Sequence, residues 1–166
     1  DKPGVRYAVT APDVNHVYED WMNDINFNFS KKKVLVLGGS KGIGHEVCKQ
    51  FILSGASVTS ISRTKCDIID VKNLICDIKD TESLRNLMLE VKDIDILVNV
   101  AGTNLCEPIS KISESEWDRV IDVNLKSFFI TIKYAAQIMK KKGAGKIVNV
   151  SSIAGKSKSI VSGVHY

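Results

Sequence analysis

The fold is decided by residues Val34 to Gly44, which read Val-Leu-Val-Leu-Gly-Gly-Ser-Lys-Gly-Ile-Gly. The apolar first half predicts a buried strand, and the glycines after it predict a tight turn into a helix. Gly38 and Gly39 carry no Cβ that would block a close backbone approach, and Gly42 and Gly44 allow the turn and close helix packing. A helix beginning here presents free N–H groups and a positive dipole end, so we expect it to bind a phosphate.

Length and composition narrow the class of protein. The chain has 166 residues, 44% of them hydrophobic, which suits one domain with a sizeable core. The net charge is only +4, and no aromatic residues interleave with the basic run at 140–142, which argues against a nucleic-acid partner. The four cysteines show neither paired spacing nor a histidine partner, which indicates free thiols and no metal site. Without a membrane-length apolar run or a signal peptide, we expect a cytoplasmic protein with no membrane partner.

From Lys33 onward, predicted strands alternate with predicted helices. We predict strands at 34–37, 57–61, 73–76, 94–98 and 146–150, and helices at 43–54, 81–91 and 123–142. A further helix begins at Ser113, with Glu116 in the capping-box position. Ile43 is expected to face inward, as are Phe128, Phe129, Ile132, Ala136 and Met139 on the long helix. This rhythm predicts an α/β fold with a doubly wound parallel sheet.

Ligands of such sheets bind outside the carboxyl ends of the strands. The predicted strand ends carry Gly38, Arg63, Asp77, Asn99 and Ser152. We therefore expect one binding site along this edge of the sheet.

Two further motifs stand at these strand ends, Asn99-Val100-Ala101-Gly102 and Ser151-Ser152. With the glycine turn and Asp122-Val123-Asn124-Leu125, they make residues 33–166 resemble the short-chain dehydrogenase/reductase family. The resemblance implies a Rossmann-like fold, here truncated after its fifth strand. The chain departs from the family pattern at Leu37, where threonine is usual, and at Val100, where a second asparagine is usual. The glycines and Asn99 are intact.

The resemblance assigns cofactor-binding roles to residues along this edge. Asp77 would contact the adenine ring, and Asn99, Ala101 and Gly102 would support the central strand beside the cofactor. The pyrophosphate turn would comprise Gly38, Ser40, Lys41, Gly42, Ile43 and Gly44.

Catalytic roles follow from the same resemblance. Asn124 matches the asparagine that kinks its helix and holds a water, Ser152 the serine that orients the carbonyl, and Tyr166 the catalytic tyrosine. A tyrosine can protonate a carbonyl oxygen if its pKa falls from about 10 toward the working pH. In the family a lysine four residues later lowers that pKa, a position beyond Tyr166. Ser152 and Tyr166 differ by 14 in number, one more than the family spacing, so Tyr166 is either the catalytic tyrosine or a surface residue.

The end of the second strand predicts the cofactor. An NAD-preferring site places a carboxylate there, whereas this chain has Ser62 followed by Arg63. A guanidinium can hold a 2′-phosphate with paired hydrogen bonds, and Lys41 adds a second cation. These residues favour NADP(H). The connection from Arg63 to Asn73 is too short for a full helix, so we expect a compact loop there.

We therefore predict an NADPH-dependent oxidoreductase that transfers hydride between nicotinamide and a small-molecule carbonyl or secondary alcohol. The alternative from another class is a non-catalytic nucleotide-binding or scaffold protein. The helix from 126 to 142 resembles one that many family members use to dimerise, so we expect a homo-oligomer. Phe128 and Phe129 would serve that contact or the core.

Residues 1–29 differ in composition from the rest of the chain. Pro3, Gly4 and Pro12 punctuate them, and we divide the chain into 1–29 and a partial Rossmann domain at 30–166. The first part is either an extension or the end of a preceding domain. Tyr7 to Glu19 loosely resembles the closing segment of cytidylyltransferases, some of which are fused to a reductase. This adds a further alternative, the ribulose 5-phosphate reductase module of a bifunctional CDP-ribitol-type enzyme.

Overall fold

The structure, a computed structural model, describes residues 27–105 and 107–152. These residues contain one parallel sheet of five strands in the order β3-β2-β1-β4-β5. The strands are β1 (Lys33–Leu37), β2 (Ser57–Ser62), β3 (Lys72–Ile75), β4 (Ile96–Asn99) and β5 (Lys146–Asn149). The order reverses direction between β1 and β4, which is the switch point beside which such sheets bind ligands.

Helices connect these strands. Within the described ranges they are α1 (Gly42–Leu53), α2 (Thr81–Glu90), α3 (Glu114–Ile121) and α4 (Ser127–Lys142), with a 3₁₀ turn at Ile109–Lys111. The predicted capping box starts α3: the Ser113 hydroxyl accepts from the Glu116 N–H at 3.3 Å, and the Glu116 carboxylate accepts from the Ser113 N–H at 3.2 Å. The long helix differs from its prediction at its start, where a π-helical turn, Asp122–Lys126, joins α3 to α4.

The strands β1, β2 and β4 are covered on both faces, as a doubly wound fold requires, whereas β5 is exposed along its length. Successive residues of β1 point to opposite sides, so Val34 and Val36 pack with α1 while Leu35 and Leu37 pack with α2 and α4. The α2 and α4 side is the larger cluster and includes Leu84, Met88, Ala135 and Met139. The α/β fold with a doubly wound parallel sheet is confirmed.

The orientation of α1 differs from the prediction. Ile43 is 64% exposed, so the expectation that it faces inward is wrong. The buried positions of this helix are Gly44 and Cys48, which lie one turn apart on the face toward the sheet. Ile43 instead stands in the first turn, beside the open carboxyl edge.

The orientation of α4 also differs. Phe129 is 61% exposed and Ala136 is exposed, so both were wrongly expected to be buried. The buried residues of this helix are Ser127, Ile130, Thr131, Ala135 and Met139. Ser127 and Thr131 can be buried because their hydroxyls donate to backbone carbonyls, to Val123 at 2.7 Å and Phe128 at 3.0 Å respectively. Phe128 packs partly against the core.

The first described residues are attached to the end of α1. The Phe29 N–H donates to the Ser54 carbonyl at 2.8 Å, and its ring lies edge-on to that of Phe51 with centroids 4.9 Å apart. The segment Tyr7 to Glu19 lies outside the described residues. Among the described helices, none combines the length and apolar character needed to cross a membrane.

Candidate active site

The glycine turn lies between β1 and α1, at the carboxyl edge of the sheet. Gly38 has φ +95°, and a Cβ there would stand 2.7 Å from the Ala101 Cα. A Cβ on Gly44 would stand 2.1 Å from the Gly38 carbonyl oxygen. The predicted close packing of α1 at Gly44 is confirmed. The atoms nearest to a Cβ on Gly38 belong to Ala101, in the segment that follows β4.

The first turn of α1 opens onto free space. Gly42 has φ +54°, and an added Cβ there would meet no atom within 4 Å. Lys41 occupies the N-cap in an extended conformation, and its side chain makes no capping hydrogen bond. The leading N–H groups of a helix without a side-chain cap suit an anion such as a pyrophosphate.

The end of β2 contains a buried serine followed by an exposed arginine. The Ser62 hydroxyl lies 3.1 Å from that of Ser60 and donates to the Thr64 carbonyl at 3.1 Å, so protein atoms satisfy it. The Thr64 hydroxyl donates to the Ser40 hydroxyl at 3.0 Å, which joins this loop to the glycine turn. Arg63 is exposed, and no carboxylate of the described residues pairs with it. The described loop 63–71 contains no helix, as predicted.

Asp77 follows β3 on the outer side of this edge. Its carboxylate accepts from the Lys79 N–H at 3.2 Å and lies 3.6 Å from the Lys79 ammonium group. The preceding Cys76 N–H donates to the Ser62 carbonyl at 3.0 Å. Asp77 is therefore held beside the end of β2, with its side chain 37% exposed.

Asn99 joins three elements at the end of β4. Its side chain is fully buried: the amide donates to Asn149 Oδ1 at 2.9 Å, and its oxygen accepts from the Thr131 hydroxyl at 2.8 Å. Asn99 and Asn149 are register partners on β4 and β5. The Ala101 N–H donates to the Leu37 carbonyl at 2.9 Å. The Asn99 side chain therefore fixes β4 to β5 and to α4 with hydrogen bonds of neutral groups.

Asn124 lies within the π-helical turn and is bound to the segment that leaves β4. Its Oδ1 accepts from the Thr103 N–H at 2.8 Å, and its Nδ2 donates to the Thr103 carbonyl at 2.9 Å. The Arg119 guanidinium donates to the Thr103 hydroxyl at 3.1 Å. An added Cβ on Gly102 would stand 3.9 Å from Asn124 Oδ1, which brings the two predicted residues together. π-Turns inside helices occur frequently at functional sites.

Ser152 follows β5 on the same edge and is exposed. The chain leading to it continues the sheet, because the Val150 N–H donates to the Asn99 carbonyl at 2.9 Å. Tyr166 lies outside the described residues. All other residues expected at the site lie at this carboxyl edge or in the adjoining turns.

A cluster that the sequence did not predict lies beside the glycine turn. The His45 Nε2 is 2.8 Å from the Asp67 Oδ1, and the Cys66 thiol lies with both in one group whose atoms are within 4.8 Å of one another. The hydrogen bond from His45 lowers the pKa of the Asp67 carboxyl. No spacing motif could have indicated this proximity, because His45 and Cys66 are 21 positions apart in the sequence.

Comparison with known proteins places this geometry in a family. Residues 32–166 match the family model described as short chain dehydrogenase. The chain is 34% identical over 137 residues to carbonyl reductase (NADPH) 2 of Sus scrofa, covering 78% of this chain and 56% of that protein. It is 33% identical over 144 residues to an NAD-dependent glycerol dehydrogenase of Listeria innocua, covering 79% and 56%.

A solved structure has the same fold. The ligand-free aldohexose dehydrogenase of Thermoplasma acidophilum superposes with a TM-score of 0.75 at 28% identity, covering 82% of this chain and 55% of that one. The chain thus spans a little over half the length of the relatives that it matches. With the family model matched over residues 32–166 and the fold shared, this chain belongs to the short-chain dehydrogenase family.

Proposed function

We propose that this chain supplies the cofactor site and part of the catalytic centre of an NADP(H)-dependent oxidoreductase. The reaction is hydride transfer between nicotinamide and a small-molecule carbonyl or secondary alcohol. The observation that carries the cofactor assignment is a pair of exposed cations, Lys41 and Arg63, beside the glycine turn. Neither has an acidic partner among the described residues.

Family membership leaves the cofactor preference open. The names of the relatives include both an NADPH reductase and an NAD-dependent dehydrogenase. The choice therefore depends on the residues after β2. Ser62 and Arg63 offer no carboxylate that would repel a 2′-phosphate, and a guanidinium can bind that phosphate with two parallel hydrogen bonds.

The rest of the cofactor would lie along the carboxyl edge. The open first turn of α1 suits the pyrophosphate, with Gly38, Ser40, Lys41, Gly42, Ile43 and Gly44 as its cradle. Asp77 would contact the adenine, and Ser62 would contribute by holding the strand end that carries Arg63. Asn99, Ala101 and Gly102 would support the nicotinamide side through the junction of β4, β5 and α4.

When bound, the cofactor would supply the hydride, and side chains of the protein would orient and protonate the carbonyl oxygen. We assign Ser152 to orient that oxygen by a hydrogen bond and Tyr166 to donate its proton. Asn124 acts as a positioning residue. Its two hydrogen bonds to Thr103 leave one Oδ1 lone pair and one Nδ2 hydrogen for a relay water.

The test is a titration of the full-length protein with NADPH and, separately, NADH. In Arg63→Asp, loss of a charge-assisted contact worth about 1.5 to 3 kcal/mol should weaken NADPH binding about 10- to 150-fold. NADH binding should be unchanged or tighter. Arg85→Asp is the matched control, because Arg85 is an exposed arginine of α2.

Each outcome has a defined meaning. A loss confined to NADPH and to Arg63→Asp supports the proposal. Equal binding of both cofactors that Arg63→Asp leaves unchanged would overturn the NADP(H) assignment. Binding of neither cofactor would favour a scaffold that keeps the fold without turnover.

We also propose that α4 and its preceding turn mediate homo-oligomer formation. Leu125 and Phe129 lie one turn apart and are 63% and 61% exposed, while Lys133 continues the same stripe with its ammonium 6.0 Å from the Phe129 ring centroid. Phe129→Ser should shift the full-length protein toward smaller species in sedimentation velocity. Ile69→Ser, which removes an 81% exposed side chain elsewhere, should not; equal behaviour of both variants would contradict the assignment.

A further inference from the structure

We propose that His45, Cys66 and Asp67 form a binding site for a zinc-like divalent cation beside the glycine turn. Their donor atoms, an imidazole nitrogen, a sulfur and a carboxylate oxygen, all lie within 4.8 Å of one another. The closest pair, His45 Nε2 and Asp67 Oδ1, is 2.8 Å apart. The site lies outside the proposed hydride-transfer chemistry and does not depend on it.

The donor set selects the class of cation. Nitrogen, sulfur and carboxylate oxygen are the ligands of Zn²⁺, whereas Ca²⁺ and Mg²⁺ prefer oxygen alone. Zinc–ligand bonds of about 2.0 to 2.3 Å place tetrahedral ligand atoms about 3.3 to 3.8 Å apart. Small side-chain movements would bring the three donors to that spacing. Three protein ligands leave a fourth position for water.

The backbone around the cluster is held in place by neighbouring contacts. The Cys66 N–H donates to Asn73 Oδ1 at 2.7 Å, and Asn73 Nδ2 donates to the Cys66 carbonyl at 3.1 Å and the Val71 carbonyl at 3.0 Å. His45 belongs to the first turn of α1. Two ligands therefore come from a loop that is fixed by hydrogen bonds to Asn73, and one comes from α1. This arrangement limits the reorganisation needed to bind a cation.

Exposure gives the cation a route of entry. The Asp67 side chain is 89% exposed and that of His45 is 33% exposed, whereas Cys66 is fully buried. A cation can therefore first contact the Asp67 carboxylate from solvent. The Cys48 thiol lies beside Cys66 but is not among the three groups whose donor atoms lie within 4.8 Å of one another, so we do not count it as a ligand.

Cation binding would join the loop 63–71 to α1. The unfolded chain does not hold these groups together, since His45 and Cys66 are far apart in sequence. Binding to the folded state alone raises its stability by mass action. Zinc should therefore raise the melting temperature of the protein in the absence of any cofactor.

The experiment uses the full-length protein, a phosphine reductant that keeps the thiols reduced, and Zn²⁺ alone as the probe. Affinity is measured by competition with a chromophoric chelator, and Co²⁺ substitution reports a thiolate ligand through its near-ultraviolet charge-transfer band. The ligand variants are His45→Gln, Cys66→Ser and Asp67→Asn. Asp70→Asn is the control, because Asp70 is exposed in the same loop and its φ of 72° suits asparagine.

The wild type and Asp70→Asn should bind one more equivalent of zinc than the ligand variants, or bind it at least about 10-fold more tightly. The Co²⁺ band should be absent in Cys66→Ser. Asp67→Asn keeps the test decisive if the buried Cys66→Ser fails to fold, because Asp67 lies at the surface. Zinc affinity that is undetectable in the wild type, or equal in Asp67→Asn and Asp70→Asn, would overturn the proposal.

Discussion

The strands of the parallel sheet begin at its amino edge and end at its carboxyl edge, and the cations we compare at these two edges differ in their ion pairing. At the amino edge, the Lys33 ammonium donates to Asp93 at 2.7 Å, and Lys142 contacts both Asp93 and Asp95. At the carboxyl edge, Lys41 and Arg63 have no acidic partner within the part of the chain that the structure describes. The paired cations join the start of β1 to the end of α4 through Asp93 and Asp95, whereas Lys41 and Arg63 are free to meet an anion from solvent.

The edges also differ in packing. The close packing at the carboxyl edge requires that Gly38 and Gly44 have no side chain, and it includes buried neutral amides such as that of Asn99. The amino edge depends on long, half-exposed side chains that can move. Substitutions of these packed residues at the carboxyl edge should therefore lower the free energy of unfolding more than substitutions at the amino edge.

The largest effect is expected for Gly44→Ala. Its Cβ would stand 2.1 Å from the Gly38 carbonyl, and backbone cannot move aside as a side chain can. We expect a loss of about 3 kcal/mol or more in the free energy of unfolding, measured by denaturant titration. Gly102→Ala is the control, since its nearest atom would be 3.9 Å away. A loss at Gly44 as small as at Gly102 would show that the turn tolerates a side chain.

Asn99→Leu should come next. The substitution keeps the number and branching of the side-chain heavy atoms but removes the hydrogen bonds to Thr131 and Asn149. Thr131 retains the Phe128 carbonyl and Asn149 is exposed, so we expect a loss of about 1 to 2 kcal/mol. Asn86→Leu, on the exposed face of α2, should change the free energy of unfolding by less than about 0.5 kcal/mol. Equal effects would mean that the amide network adds nothing to stability.

Ser113→Ala tests a local contact near the same edge. It removes the side-chain cap of α3 and should cost about 1 kcal/mol in the free energy of unfolding. Ser113→Thr retains the hydroxyl that caps the helix and donates to Glu116, and it should recover most of the loss, measured by thermal and denaturant unfolding. Failure of Thr to recover stability would assign the effect to something other than capping.

The smallest effect is expected at the amino edge. Hydrogen bonds from Lys142 and Lys33 lower the pKa of the Asp93 carboxyl from 3.8 to about 2. A lowered pKa stabilises the folded state above pH 3.8, and that contribution disappears as the pH falls toward about 2. Asp93→Asn should therefore reduce the acid-induced fall in melting temperature, and more so at low salt. Asp118→Asn, an exposed carboxyl of α3, should leave that fall unchanged, and equal slopes in all three proteins would contradict the assignment.

Much of the fold could be predicted because its signals are local. Short runs rich in apolar and β-branched residues located all five strands of the described sheet to within about two residues. The capping box located the start of α3 from two residues, Ser113 and Glu116. The glycine turn was recognisable because it is defined by the absence of side chains within a single short stretch.

The remainder could not be predicted because it depends on distant contacts. The buried face of α4 includes Ser127 and Thr131, polar residues that a search for apolar stripes leaves out, and so Phe129 was misassigned. Asn99 and Asn149 meet only because β4 and β5 pair in register. The approach of His45 to Cys66 likewise requires the loop after β2 to return to α1.

The π-helical turn at Asp122–Lys126 changes the rotation of α4 about its axis relative to α3. A π-turn amounts to one residue inserted into an α-helix, and each residue turns a helix by about 100°. Deleting one residue there would force a choice between rotating the buried face of α4 out of the core and turning the Asn124 amide away from Thr103. The extra residue lets the buried face of α4 and the face that carries Asn124 be oriented independently.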